Sequence, residues 1–417
     1  FPGFADSQHF EEFVTLTRIL LLQPCFLGLS NLFATVTQVY RKFILYAVSP
    51  ILYNIGIVFG ILFLYPKYGL AGLGYGVVLG AIFHVGIQIP FIVRTGFFPA
   101  FERIRIKEMS RVLALSLPRT IGLYAQQMVL LVLMAVASVL AVGSVAVFNF
   151  SYNLYWVPIS IISVSYSVAA FPTLSRLFIS GEKDKFLHQV ITAARHIIFW
   201  SFPAIALIVV LRAQIVRTVL GSGAFDWSDT RLTAAALAIF SFSLAANGLI
   251  LLLVRGYYAA GNTIKPLLVN LISSVSGVAL AFLFVRVFTE NPQFQMMVET
   301  LLRVEGIPGT VVLMLPLGFS LGMLINATVL LMLFQKDFSD FSDALSRTVW
   351  QVTAAAVLIG VVAYELLNVL DDFFDIDTLL GIFLQGFLAG IGSIAAGALL
   401  LFLLGNREIK EVRNSLQ

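Results

Sequence analysis

RTVWQVTAAAVLIGVVAYELLNVLDDFFDIDTLLGIFLQGFLAGIGSIAAGALLLFLL, residues 347–404, is two apolar runs parted by a short acidic segment. The runs at 347–369 and 379–404 are each long enough to cross a hydrocarbon layer of roughly 30 Å as a helix. They are continuous rather than alternating in segments of about ten residues, so they read as helices and not as strands of a membrane barrel. Similar runs recur through the chain. Of its 417 residues 59% are hydrophobic and 12% charged, where an ordinary soluble domain carries about 25% charged residues. Mean hydropathy is +0.95. That excess cannot be hidden in a water-soluble core, and the fold class is an all-α polytopic membrane protein.

Working outward from these two runs gives about eleven spans by hydropathy: 13–37, 43–65, 70–93, 112–140, 145–172, 190–211, 231–254, 265–288, 309–334, 347–369 and 379–404. The connections between them test the parse, because Lys and Arg concentrate on the cytoplasmic side. Alternate connections are basic: Arg41 and Lys42; Arg94, Arg103, Arg105, Lys107 and Arg111; Arg176, Lys183, Lys185 and Arg195; Arg255 and Lys265; Lys336 and Arg347. The tail adds Arg407, Lys410 and Arg413. The intervening connections are poorer in bases, and residues 371–377 hold four aspartates and none. The odd connections and the C-terminus are therefore expected in the cytoplasm. Phe1–Glu12 then falls outside, so a cytoplasmic N-terminus requires an odd number of helices before residue 1. Phe1 is no start residue and carries no signal pattern, and the sequence is expected to begin part-way along a longer chain.

A net charge of +4 and a pI near 9.1 do not point to nucleic acid once the bases are assigned to membrane loops. The single cysteine, Cys25, excludes a disulfide framework and reads as a small core residue. Segments 98–111 and 176–196 mix aromatics with bases. Each is either an amphipathic stretch along an anionic leaflet or a solvated basic loop. The long connection 289–308 has a weak helical pattern and no evident chemistry.

Catalysis finds no footing. His9, His84, His188 and His196 are scattered, with no HExxH pair and no phosphate-binding GxxxxGK[ST] segment. GLGYG at 72–76 opens a span and reads as close helix packing. Asp371, Asp372, Asp375 and Asp377 read as a solvated external loop rather than a cation site. No catalytic residue, metal ligand or cofactor is expected.

Polar groups inside spans are costly in hydrocarbon and point to a substrate pathway. Arg119, Gly122 and Gln126 recur at helical spacing and share a face, with Gln127 beside it. In the next span Asn149, Asn153 and Trp156 share a face, flanked by Tyr152. These two spans are antiparallel neighbours whose polar faces meet in a common cavity on this reading. On the other reading the amides are interhelical glue and Arg119 extends to lipid phosphates at the membrane surface.

PGFADSQHFEEFVTLTRILLLQPCFLGLSNLFATVTQVYRKFILYAVSPILYNIGIV at 2–58 resembles the MurJ/MviN family, lipid II flippases of the multidrug/oligosaccharidyl-lipid/polysaccharide exporter superfamily. The matching features are Pro2–Phe4, Pro24, Arg41–Phe43, and Pro50 with Asn54. FPTLSRLFISGEKDKF at 171–186 and VRGYYAAGNTIKPL at 254–267 are similar to two further family segments, in the same order and spacing. The resemblance implies about 14 helices in two lobes of six plus two appended helices, of which this chain holds the fourth onward. Residues 1–100 are then the second half of the first lobe, 101–336 the second lobe, and 337–417 the appended pair with the tail.

It further implies a bacterial inner-membrane flippase that carries an undecaprenyl-diphosphate-linked peptidoglycan precursor outward by alternating access. No cofactor is implied, the drive being membrane potential or a coupled ion. The partners are the polyprenyl-linked substrate, membrane lipids and proteins of cell-wall synthesis. One departure stands out: lined up on Pro158, the family's usual basic residue is Asn153, and the acidic residue three later is Trp156. A diphosphate needs cations, which assigns Arg119 to it. Asn149, Asn153, Gln126 and Gln127 are assigned hydrogen bonds to sugar or peptide, and Arg255 the inner gate. The competing readings are an exporter of another polyprenyl-linked glycan, a cation antiporter, disfavoured by the lack of a mid-span carboxylate within 112–334, and a non-transporting scaffold for cell-wall assembly.

Overall fold

A computed structural model describes residues 10–40, 42–96, 109–110, 127–338, 343–375 and 378–416. Among these no strand occurs, and nine helices are long and apolar enough to cross a membrane. A further pair, bent by 43°, makes ten. The expected run at 112–140 is represented by the shorter helix Gln127–Ala137, since 111–126 lie outside the described residues. The chain divides into two units, residues 2–114 and 115–417.

The first unit runs α1 (Phe10–Leu20), α2 (Leu22–Val39), α3 (Phe43–Phe59), a π-helical turn (Gly60–Leu64), α4 (Tyr65–Tyr68), α5 (Leu70–Gly86) and α6 (Ile89–Arg94). Water drives no association between helices in lipid, so close backbone approach must supply it. The GLGYG stretch does this: a Cβ on Gly60 would lie 2.5 Å from the Gly76 Cα, a separation only glycine permits. Cys25, expected in the core, is exposed on α2. A spanning helix meets hydrocarbon on its outer face, so a small apolar side chain gains nothing by turning inward.

The second unit runs α7 (Gln127–Ala137), α8 (Ser144–Pro158), a π-helical turn (Ile159–Val164), α9 (Ser165–Ile179), α10 (Lys183–Leu220), α11 (Trp227–Ser241) and α12 (Leu244–Ala259). It continues with α13 (Ile264–Glu290), α14 (Pro292–Leu302), a 3-10 turn (Thr310–Leu313), α15 (Met314–Phe338), α16 (Asp343–Asp371), α17 (Leu379–Leu403) and α18 (Arg407–Leu416). Glycine again sets the closest crossing, where a Cβ on Gly322 of α15 would stand 2.7 Å from the Gly277 Cα of α13. Asn326 Nδ2 donates to Asn270 Oδ1 at 3.0 Å across the same pair. The rings of Phe148, Tyr152, Tyr155, Phe240 and Phe319 pack edge-on and stacked within the buried core.

Residues 183–196 correct an expectation. They are neither a surface amphipathic segment nor a loop but the first half of α10, which is 38 residues long. Phe186, Val190, Ala194 and Ile197 are fully buried, so the apolar stripe that suggested a leaflet packs on protein instead. The segment at 98–111 lies almost wholly outside the described residues. At 289–308 the weak helical pattern is realised as α14, capped by Asn291, whose side chain accepts from the Gln293 and Phe294 amides.

The second unit has two distinguishable ends. The Lys-rich end gathers the α9–α10 turn, the α12–α13 turn, the end of α15, the start of α16 and α18. The opposite end gathers the start of α8, the α10–α11 connection, α14 and the α16–α17 connection.

Candidate functional site

The site is built around α8, whose sequence SVAVFNFSYNLYWVP carries two faces. Phe148, Ser151, Tyr152 and Tyr155 recur at helical spacing and are buried. The adjacent face holds Asn149, half-buried, and Asn153, exposed. Asn153 Nδ2 reaches Asn149 Oδ1 at a long 3.4 Å, so both amides keep most of their hydrogen-bonding capacity for another partner. Trp156 completes this face, edge-on to Tyr152 with ring centroids 6.1 Å apart.

Within the continuous span Ser144–Ile179, Pro158 breaks the regular hydrogen-bond ladder, because its ring removes an amide donor and crowds the preceding turn. The backbone answers with the π-helical turn Ile159–Val164 before α9 resumes. A second break faces it. Between α11 and α12 the path turns by 43°, and there Ser241 and Ser243 hydroxyls donate to the Ala238 and Phe240 carbonyls. Such back-bonding competes with the helical ladder and bends helices. The two breaks share hydrogen bonds: Tyr155 Oη lies 2.8 Å from Ser243 Oγ, and Asn247 Nδ2 donates to Tyr155 Oη at 3.2 Å. Between them Gly248 is tight, since a Cβ there would stand 2.5 Å from Ser163 Oγ.

Toward the Lys-rich end, the half-buried Arg255 of α12 donates to Ser167 Oγ of α9. Tyr257 Oη donates to Asp337 Oδ2 at 3.0 Å. Lys265 Nζ donates to the same carboxylate at 2.6 and 2.8 Å. These bonds tie α9, α12, α13 and α15 together below the two breaks.

Asn149 and Asn153 thus share a face as expected, while Arg255 is drawn to Ser167, a residue the sequence did not single out. Gln127 opens α7 and is exposed. Arg119 and Gln126 lie outside the described residues. The Tyr155–Ser243–Asn247 cluster was missed because 231–254 reads as one straight apolar run. The available signal was the pair of serines in FSFSLAAN, residues 240–247.

The fold has solved counterparts. A structure titled "Lipid II flippase MurJ, inward closed conformation" superposes with a TM-score of 0.69 at 22% identity, covering 91% of this chain and 73% of that one. A transporter of the multidrug resistance MATE family superposes at 0.56 with 14% identity, covering 81% and 72%. Among curated proteins, the lipid II flippase MurJ of Burkholderia cenocepacia is 25% identical over 269 residues, 63% of this chain and 52% of that protein. The probable lipid II flippase MurJ of Bdellovibrio bacteriovorus is 26% identical over 373 residues, 87% and 66%. The chain spans about half the length of the first of these and of its Haemophilus influenzae counterpart, at 52% and 56%. The family model described as lipid II flippase MurJ matches residues 2–384, and the chain belongs to the MurJ family.

Proposed function

We propose that this chain forms the transport machinery of a flippase that moves polyprenyl-diphosphate-linked peptidoglycan precursor, lipid II, from the inner to the outer leaflet of the bacterial cytoplasmic membrane. The observation that carries this reading is the family match over residues 2–384. The Lys-rich end lies in the cytoplasm on this reading, with the C-terminus, and residues 1–100, 101–336 and 337–417 act as half-lobe, lobe and appended pair.

The chemistry of the cargo assigns the roles. A diphosphate in a water-poor cavity needs fixed cations, which Arg119 supplies in part. The sugar and peptide need donors and acceptors, which the unspent amides of Asn149 and Asn153 offer together with Gln126 and Gln127. Movement needs spans that can change shape, and broken helices serve this in transporters. The paired breaks of α8–α9 and α11–α12 share Tyr155, so bending one loads the other. Arg255 holds α9 to α12 at the inner side through Ser167, and release of that bond accompanies opening. Membrane potential drives the cycle, worth about 2.3 kcal/mol per charge per 100 mV.

The test is complementation of a bacterium depleted of its own lipid II flippase. Wild type is expected to restore growth, Arg119→Ala to fail, and Arg119→Lys to restore it partly. Equal rescue by both variants would remove Arg119 from the diphosphate. No rescue by wild type present in the membrane would favour another polyprenyl-linked glycan or a scaffold.

A further inference from the structure

A cavity of about 540 Å³ opens in the second unit at the end opposite the lysines, between α10, α11, α14, α16 and α17. This is within the size range of small-ligand sites. Three guanidinium groups line it, those of Arg212, Arg231 and Arg303. Backbone carbonyls hold two of them in place. Arg212 donates to Val209 O at 2.9 Å and Leu302 O at 3.3 Å, and Arg231 Nε donates to Arg303 O at 3.0 Å. Arg303 itself sits at φ 58°, the sole non-glycine residue at positive φ among those described. That conformation is unfavourable for a residue with a Cβ, yet it ends α14 and leaves Arg303 in the cavity lining together with Tyr364.

Negative charge does not balance these cations. Asp371 is the cavity's one lining carboxylate and accepts from Gln385 Nε2 at 3.1 Å. Arg231 has Glu305 at 4.0 Å. Arg212 and Arg303 form no ion pair among the described residues. A guanidinium carries five donors in a planar fork matched to oxyanions, and the bonds to carbonyls use only part of that capacity. The cavity sits at the ends of spanning helices, Asp371 being the last residue of α16. Trp227, at the start of α11, lines it while staying partly exposed, and tryptophans are enriched at membrane interfaces. On α14 beside it, Met296, Met297 and Leu301 are 66%, 57% and 75% exposed, an apolar face suited to the headgroup boundary.

We propose that this cavity is a second binding site, separate from the Asn149–Asn153 face, for a phosphoryl anion carried by a lipid of the leaflet at that end. The fork of Arg303 and the fixed guanidinium of Arg212 take the phosphate oxygens, and Asn368 and Gln214 at the wall offer amides to the rest of the headgroup. Inorganic phosphate shares this chemistry and differs in lacking the membrane anchor.

Native mass spectrometry of the purified protein from dodecyl maltoside with added phosphatidylglycerol reads the lipid, and equilibrium binding of radiolabelled inorganic phosphate reads the free anion. Wild type is expected to retain phosphatidylglycerol about tenfold more strongly than Arg212→Gln, the loss expected for one charge-assisted hydrogen bond. Arg286→Gln, at the same end and paired with Glu290 at 2.9 Å, is expected to match wild type. Arg303→Gly separates binding from folding: it removes the guanidinium and suits the backbone, so it is expected to lower retention while holding or raising the melting temperature. Equal lipid retention by wild type, Arg212→Gln and Arg303→Gly overturns the proposal. Binding of inorganic phosphate that depends on these arginines, with no such dependence for lipid, overturns the lipid source.

Discussion

The two ends of the second unit treat positive charge differently. At the Lys-rich end cations meet carboxylates: Lys265 with Asp337, Arg407 with Glu411, which also lies 3.4 Å from His196, and Lys185 with Glu182. Polar side chains close the same end, where Asn406 Nδ2 donates to Gln351 Oε1 at 3.0 Å and Gln351 Nε2 to Leu404 O at 3.0 Å. At the opposite end Arg286 also pairs with Glu290, but in the cavity Arg212 and Arg231 rest on carbonyls and keep donors free. Charge that is neutralised locally fastens loops, whereas charge positioned by neutral groups keeps its attraction for something that arrives. The first end is a structural clasp and the second a receptor.

Substitutions can break this contrast. The largest stability loss is expected for Asp337→Ala, which strands Lys265 and Tyr257 together. Leaving such partners unmatched costs about 1–3 kcal/mol, read as a lower melting temperature in detergent. Arg303→Gly is expected to move stability the other way, by up to about 1 kcal/mol, because the left-handed backbone no longer carries a Cβ. A large loss there would make the opposite end structural as well. Between the ends, Tyr155→Phe removes bonds to Ser243 and Asn247. Interhelical hydrogen bonds in membranes average about 0.6 kcal/mol, so the melting temperature is expected to fall slightly while the transport rate falls further, since the lost bonds join the two breaks.

The smallest effect belongs to Glu182, exposed in the α9–α10 turn. Bonds from Lys185 and from Ser180 hold its carboxyl below the usual glutamate range. A lowered folded-state pKa stabilises above the unfolded value, and that contribution is lost as pH falls through the lowered one. The melting difference between wild type and Glu182→Gln is therefore expected to be small at neutral pH and to vanish in acid.

Much of the fold was legible because bilayer thickness sets a length that apolar runs must meet. Lys183–Leu220, the bent pair and Leu379–Leu403 all contain or match runs read from sequence. Hydropathy could not show that α10 starts before its apolar run, since Lys183, Lys185 and His188 are polar while Phe186 among them and Val190 just after them are buried. Nor could it show breaks, which cost no apolar residues: Pro158 and the serines at 241 and 243 signal them only weakly. The polar face of Asn149 and Asn153 followed from spacing alone. The arginine cavity did not, because Arg212 and Arg231, Arg303, and Asp371 come from three separate connections that folding alone brings together. The 289–308 connection, which showed no chemistry as sequence, supplies one of its walls.

Transport is measured most directly as the arrival of lipid II at the outer leaflet. In cells with this protein as their only flippase, the fraction of lipid-linked precursor open to an externally added cleaving enzyme reports it. The proposed transport predicts substantial exposure with wild type and a loss of about tenfold or more with Arg119→Ala, the scale of one charge-assisted contact to phosphate. Precursor that stays protected while the wild-type protein is present in the membrane would contradict it.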